Sequence, residues 1–341
     1  IIDDNIIADQ NYLNEKQWYC PLVPILVAGI SKITGVSVPI INTRAGAYLN
    51  LLAPVLFLVF VSVFFDKWVG LVALSWFLFR RINNFPIYTS ATYSPWLLSD
   101  NFVQVFFYLT IMAYNTAIHH KKILWWILTG LLLGITFLGH PAPALIIGFM
   151  IFVYSIMKMI EKKGKSGKIL FNSAVVVFFA LTISSFFLYS MFITYSMKTV
   201  NRFPAHWAHP LFMISNFKKF LSKFYLFYVI LTSVGFIYFM KFYQRLKEKR
   251  IIILLMIANV GFIVYGYLWQ LGKLIGIKLP KLLTTFHFFV YLGVIQSIFM
   301  ALAMLYGLQL LMKIISKWKP SFTVNHMFKP FNWQKREKYV I

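Results

Sequence analysis

Nine apolar segments separated by short polar loops dominate this sequence and leave few folds open to it. Most approach the length of about 20 residues that a helix needs to cross the hydrocarbon core of a bilayer. Lipid offers backbone amides no water, so a spanning segment satisfies them internally as a helix. The segments are residues 47–65, 68–82, 102–118, 123–139, 142–157, 170–194, 224–240, 251–270 and 285–312. They predict an all-α, polytopic transmembrane helical bundle with about nine spanning helices.

The composition agrees with this fold class and excludes a soluble globule. Hydrophobic residues make up 60% of the chain and charged residues 12%, which is too little polar surface to coat a water-soluble domain. The predicted organisation is an outer loop with short interfacial helices (1–46), a transmembrane domain (47–312) and a basic cytoplasmic tail (313–341). No basic or signal-like run precedes Asp3, so we expect the protein to have a further transmembrane helix upstream.

The Lys and Arg residues are unevenly distributed between the two predicted sides of the membrane. If residues 1–46 are outside, the inner loops hold most of the 33 Lys and Arg, chiefly in 158–168, 241–250 and 313–338. Loops rich in Lys and Arg stay in the cytoplasm. Topology and contact with anionic membrane lipids therefore explain the net charge of +24, and no nucleic-acid partner is expected. We predict an integral protein of a prokaryotic plasma membrane, with its working face external.

Acidic residues are few, and the aspartates that are candidates for a site fall on the predicted outer side. Asp3 and Asp4 are adjacent, and such pairs either hold a hard divalent cation through oxygen ligands or take a proton from a hydroxyl. The alternative is a solvated loop. Asp100 directly precedes an apolar segment, where it either caps the helix or helps to hold a cation.

Histidines mark two further outer loops. His140 lies in a tight Gly-Pro turn, where an imidazole can donate to a phosphate or bind a metal; the alternative is a partly buried ring bonded to a carbonyl. His206 and His209 are three residues apart and can share a helical face and a metal. Because Trp207 separates them, an aromatic interfacial anchor is the alternative.

Some Lys and Arg residues are predicted on the outer side, where few cations are expected. Arg80 and Arg81 end the second apolar segment, and Lys281 shortly precedes His287 at the start of the last one. Such groups can bind a lipid phosphate. The alternative is that they snorkel to the interface.

The order of these features resembles that of a known family. The features are the acidic first loop, Tyr19-x-Pro21-Leu22-x-x-Pro24-x-Leu26, Asp100, Leu138-Gly139-His140 and Thr285-Phe286-His287-Phe288-Phe289. Together they resemble the GT-C superfamily, integral-membrane glycosyltransferases that typically take a sugar from a polyprenyl-phosphate carrier on the external or lumenal face. The resemblance covers most of the chain.

This resemblance implies an inverting transfer of a sugar from a polyprenyl-phosphate-linked donor to a hydroxyl of a glycan, lipid or protein acceptor. Asp3 or Asp4 would be the catalytic general base. Asp100 and His140 would line the same cavity, with Mg²⁺ or Mn²⁺ at Asp4 and Asp100 in a metal-dependent enzyme. The remaining candidates for binding the substrate or its leaving phosphate are Arg80, Arg81, His206, His209, Lys281 and His287.

A second hypothesis is a noncatalytic membrane subunit, or a transporter or flippase for a lipid-linked substrate. An ion-coupled carrier predicts ionisable residues at mid-helix depth or an inverted repeat. The sequence shows neither, while a purely structural subunit stays open. Convergence of Asp3 or Asp4 with Asp100 and His140 in one cavity would favour the transferase.

Overall fold

The fold is helical throughout the part of the chain that can be described. The computed structural model describes residues 20–79, 97–161, 166–196, 223–243, 248–277, 279–280, 283 and 285–318, and no β-strand occurs among them. The helices are α1 (Leu22–Thr34), α2 (Val38–Arg44), α3 (Gly46–Leu49), α4 (Leu52–Phe64), α5 (Lys67–Phe79), α6 (Ser99–Phe102), α7 (Gln104–His120), α8 (Ile123–Gly139), α9 (Pro141–Glu161), α10 (Ser166–Tyr189, continued by the π-helical turn Ser190–Thr194), α11 (Lys223–Phe242), α12 (Lys249–Leu274) and α13 (Thr285–Trp318). The predicted all-α class is confirmed.

Each predicted apolar segment overlaps one of the helices α4, α5 and α7 to α13. Within the described residues, five stretches are long and apolar enough to cross a membrane: Val38–Phe64, Pro141–Glu161, Ser166–Thr194, Lys249–Trp269 and His287–Ile315. The first of them begins inside the segment assigned to the outer loop. These helices are those of an integral membrane protein, and the number of nine spans stays a prediction.

Helix α4 shows why the bundle needs lipid around it. Phe57, Phe60 and Phe64 recur at helical spacing and are buried against the core. The opposite face is apolar too, because Val55 and Val59 are exposed. A helix that is hydrophobic on all sides is typical of a protein interior or a membrane. The exposed apolar face of α4 is therefore expected to face lipid.

Glycines set the closest helix contacts. A Cβ atom on Gly130 of α8 would lie 2.6 Å from the carbonyl oxygen of Val176 on α10, and a Cβ on Gly235 of α11 would clash with the carbonyl oxygen of Phe299 on α13. Small residues let transmembrane backbones approach each other and gain van der Waals contact. These two positions hold α8 against α10 and α11 against α13.

The bundle has two chemically different ends. At one end Glu161, the last residue of α9, pairs with Lys158 at 2.8 Å and also with Arg250 of α12. At the same end His119 Nε2 of α7 lies 3.5 Å from Glu248 Oε1. We call these five residues the ion-pair end. Helix α9 is about 30 Å long, so its first residue lies at the opposite end of the bundle.

Candidate functional site

Three ionisable side chains meet at the end of the bundle where α9 and α13 begin. Asp100 Oδ1 lies 3.2 Å from His140 Nε2 and 3.9 Å from His287 Nδ1. The two imidazole rings have centroids 4.4 Å apart. Among the residues that the structure describes, these three form a group whose possible metal-ligand atoms all lie within 4.8 Å of one another. We call Asp100, His140 and His287 the Asp–His cluster.

Gly139 brings His140 to this cluster. A Cβ at this position would lie 2.7 Å from Cγ2 of Val103 and 2.9 Å from Cδ2 of Leu22. The end of α8 thus packs directly against the start of α1 and the residue that joins α6 to α7. Because Asp100 is on α6, this close approach places the next residue, His140, beside its carboxylate.

Asp100 is held by the packing of its short helix. The side-chain amide of Gln104, fully buried, donates to the Asp100 carbonyl at 3.4 Å and accepts a hydrogen bond from the Tyr108 hydroxyl at 3.2 Å. The residue at the N-cap of α6 is Leu98. Asp100 therefore sits inside the first turn instead of capping it, and its carboxylate faces the two imidazoles.

Aromatic packing fixes the start of α13, which carries His287. The ring of Phe288 stacks on Phe262 of α12 at 4.9 Å and 13°, and Tyr291 contacts Phe107 of α7 at 4.9 Å. These contacts join α13 to the helix that follows Asp100. The aromatic residues around His287 thus hold its ring in register with Asp100.

The hydrogen bonds of His140 determine where its proton lies. Its Nδ1 accepts the backbone N–H of Ala142 at 3.1 Å, so this nitrogen carries no hydrogen. A neutral imidazole then carries its one proton on Nε2, the atom that faces Asp100. At Nδ1 the ring accepts a hydrogen bond from a backbone amide, so the alternative of a bond to a carbonyl is wrong for this nitrogen.

Burial gives the cluster its electrostatic character. Burial lowers the pKa of His140 to about 4, so the ring is neutral at neutral pH. Burial also raises the pKa of Asp100, and nearby His287 opposes this with a smaller effect. The side chain of Asp100 is 28% exposed and that of His140 is 9% exposed. A ligand would therefore meet Asp100 first, with His140 behind it.

A metal fits these residues poorly. The sequence places Mg²⁺ or Mn²⁺ at Asp4 and Asp100; Asp4 lies outside the described residues, and the neighbours of Asp100 in the cluster are nitrogens, whereas Mg²⁺ prefers oxygens. A metal-bound imidazole needs an unprotonated nitrogen directed at the ion. In His140, Nδ1 is occupied by the Ala142 amide and Nε2 holds the proton. With its proton on Nε2, His140 offers no lone pair to a metal.

Cys20 is a neighbour of the cluster that the sequence did not single out. Cys20 is the single cysteine of the sequence. Burial, with a smaller effect from the charge of Asp100, raises the pKa of its thiol to about 12. The thiol therefore stays protonated, and thiolate nucleophilic chemistry is excluded at neutral pH. The signal in the sequence that could have pointed to Cys20 is its position between Tyr19 and Pro21, inside the first motif of the resemblance.

The remaining candidates cannot be placed in this site. They are Asp3, Asp4, Arg80, Arg81, His206, His209 and Lys281, and all of them lie outside the described residues. Their assigned roles stay predictions. Of the candidates inside the described residues, Asp100, His140 and His287 are brought together by the fold.

Comparisons with known proteins add no assignment. No protein-family model matches the sequence, and neither a curated protein nor a solved structure matches it. The resemblance to the GT-C superfamily therefore rests on the motifs in the sequence.

Proposed function

We propose that the protein is an inverting membrane glycosyltransferase that moves a sugar from a polyprenyl-phosphate-linked donor to an acceptor hydroxyl. The observation that carries this proposal is the Asp–His cluster, which draws three ionisable side chains from distant parts of the sequence to one end of an apolar bundle. Burying such groups costs free energy unless they are paired. Ionisable groups kept at a membrane bundle are typical of ligand or proton sites.

The cluster supplies what the acceptor half of the reaction needs. A hydroxyl becomes a nucleophile when a positioned carboxylate takes its proton. Asp100 is a partly exposed carboxylate held next to two imidazoles. The sequence resemblance gives the base role to Asp3 or Asp4 of the same predicted outer side. For the donor phosphate we retain Arg80, Arg81 and Lys281, because cations stabilise a developing anion at a site of low dielectric.

The proposed working face is external. The ion-pair end adjoins the lysine-rich loops 158–168 and 241–250, which are expected to face the cytoplasm. The Asp–His cluster lies at the other end of α9. We therefore place the donor and the acceptor on the outer surface of a prokaryotic plasma membrane, as part of cell-envelope synthesis.

The test is a transfer assay with the purified protein in proteoliposomes. Radiolabelled polyprenyl-phosphate hexoses and pentoses are offered with a membrane extract as the source of acceptor, and label leaving the carrier is measured. We expect turnover by the wild type and a loss of about 100-fold or more in Asp100→Asn. Glu161→Gln, the same chemical change at the ion-pair end, should retain the wild-type rate.

Binding of these donors without any turnover would contradict the transferase and would favour a noncatalytic subunit. Release of the label to the other side of the vesicle, still attached to its carrier, would identify a flippase instead.

A further inference from the structure

We infer that Asp100 is the general base of this site and that His140 is its positioning residue, without a metal between them. His140 donates its Nε2 proton to Oδ1 of Asp100, and the second carboxylate oxygen, Oδ2, accepts the proton of the acceptor hydroxyl. The inference rests on the proposed function. It departs from the resemblance, which gives the role of base to Asp3 or Asp4.

The start of α9 locks the tautomer of His140. Pro141, the first residue of the helix, has no N–H, so Ala142 provides the first free amide. Ala142 is fully buried, and a buried amide needs an acceptor. The Nδ1 atom of His140 is that acceptor at 3.1 Å. A helix end thus forces the ring proton onto the nitrogen that faces Asp100.

The geometry around Asp100 separates its two oxygens. Both imidazoles approach Oδ1, at 3.2 Å for His140 and 3.9 Å for His287. We assign the other oxygen, Oδ2, to the acceptor hydroxyl. The greater exposure of Asp100 than of His140 agrees with this, because the base has to meet the ligand and the positioning residue does not.

The proposed step balances in atoms and charge. The O–H bond of the acceptor breaks, and its proton moves to Oδ2 of Asp100. The acceptor oxygen forms a bond to the anomeric carbon on the face opposite the leaving group. The bond from that carbon to the phosphate oxygen breaks, and its electron pair leaves on the polyprenyl phosphate. His140 keeps its own proton throughout.

A transition metal held by the same three residues is the competing proposal, since two histidines and one carboxylate form a known ligand set. Metal binding through His140 Nε2 would need that nitrogen unprotonated. The ring proton would then move to Nδ1, against the N–H of Ala142. The two proposals therefore differ in the position of a single proton, which can be measured.

The first test is nitrogen-15 NMR of the wild-type protein in nanodiscs, with labelled histidine. The chain has 7 histidines, and the His140 signals are assigned by their loss in His140→Gln. We expect the Nε2–H tautomer, with spectra that do not change on addition of EDTA or Zn²⁺. An Nδ1–H tautomer, or a stoichiometric zinc-dependent shift of the His140 and His287 signals, would overturn the inference in favour of a metal site.

The second test is kinetic and compares two substitutions of His140. The amide of His140→Gln can still donate to Asp100 but is a poor metal ligand, whereas His140→Met cannot donate. We expect kcat to fall by about 10-fold or less in His140→Gln and by about 100-fold in His140→Met, with KM little changed in both. Equal losses in both variants would overturn the positioning role. Nanodisc samples that unfold cooperatively show that each variant is folded.

The third test separates Asp100 from the acids of the first loop. Asp100→Asn should lose about 100-fold or more in kcat, whereas Asp3→Asn and Asp4→Asn should each stay within about 10-fold of the wild type. Transfer by Asp100→Asn at the wild-type rate would overturn the inference and leave the proposed function standing. Absence of wild-type turnover would instead defeat the proposed function, and the NMR experiment would still decide how Asp100 and His140 are paired.

Discussion

Two histidines at opposite ends of the bundle face carboxylates. They differ in whether the ring nitrogen that faces away from the carboxylate donates or accepts a hydrogen bond. At the ion-pair end, Nδ1 of His119 donates to the carbonyl of Asn115 at 2.8 Å, and its Nε2 faces Glu248. Since a carbonyl only accepts, Nε2 can also donate only when the ring is charged. In the Asp–His cluster, Nδ1 of His140 accepts an amide instead, so a neutral ring suffices to donate to Asp100.

Exposure to water separates the ends further. Arg250 is 46% exposed and Glu161 is 37% exposed on their side chains, whereas the side chain of His140 is 9% exposed. Exposed ion pairs contribute little to stability because water competes with them. Water competes less with buried groups, so their electrostatic interactions are stronger. Similar residues thus form solvent-exposed ion pairs at one end of the bundle and a more deeply buried cluster at the other.

The largest effect is expected from a pair of histidine substitutions that contrasts the two ends. His287→Ala should lower kcat for sugar transfer by about 100-fold, because it removes the partly exposed imidazole beside Asp100, a candidate for binding the donor phosphate. His119→Ala, at the ion-pair end, should leave kcat unchanged. The transfer assay measures both. Equal losses in the two variants would show that the ends do not differ in function.

The next effect concerns acid stability. Burial lowers the folded pKa of His140 to about 4 from an ordinary 6.5, so between these values the unfolded chain binds more protons. Stability is therefore present above pH 6.5 and is lost as pH falls through 4, by an amount on the order of 3 kcal/mol. The raised pKa of Asp100 acts in the opposite direction.

His140→Gln isolates this contribution, because the variant keeps Asp100. Thermal unfolding in nanodiscs between pH 7 and pH 4 should show a smaller loss of stability in His140→Gln than in the wild type. Identical pH profiles for the two proteins would mean that His140 is not buried in its neutral form.

A smaller loss is expected when the approach of α8 to α6 is blocked. A side chain at Gly139 meets Val103 and Leu22, so Gly139→Val should lower the free energy of unfolding by about 2 kcal/mol and reduce transfer by displacing His140. Gly148→Val on α9 is the matched control, since no atom lies within 4 Å of a Cβ there. Unfolding midpoints that shift equally would refute the close contact at Gly139.

The smallest effect is predicted at the ion-pair end. Glu161→Gln removes the acid that pairs with Lys158 and Arg250, yet both pairs are exposed to solvent. The unfolding midpoint should stay within the error of the measurement, at low and at high salt. A clear loss of stability would mean that the two ends are more alike than their exposure indicates.

The fold and the sidedness of the candidate site could be predicted from the sequence where one type of residue determines the structure. Apolar segments predicted the helices because lipid permits little else. The sorting of cations placed Asp100, His140 and His287 on one side, and the structure brings these three together. The number of spans could not be settled, because α5 has 13 residues and α8 has 17, which is shorter than a bilayer core requires.

The features that could not be predicted from the sequence depend on where a helix begins and on contacts between residues far apart in the chain. The tautomer of His140 follows from the amide of Ala142, which becomes its donor only because α9 starts at Pro141. The role of Gly139 needs the side chain of Val103, which is far away in the sequence. Cys20 gained its high pKa from burial and from the neighbouring Asp100. Patterns along the chain indicated candidates, and packing determined their chemistry.

The lipid-linked donor is expected to bind at the end of the bundle that carries the Asp–His cluster and not at the cationic ion-pair end. Photo-crosslinking tests it most directly, with a polyprenyl phosphate that carries a diazirine next to its phosphate. After illumination in nanodiscs, mass spectrometry should find the label on peptides that contain Asp100, His140 or His287, and unlabelled polyprenyl phosphate should suppress it. Labelling confined to peptides with Lys158 or Arg250 would contradict the claim.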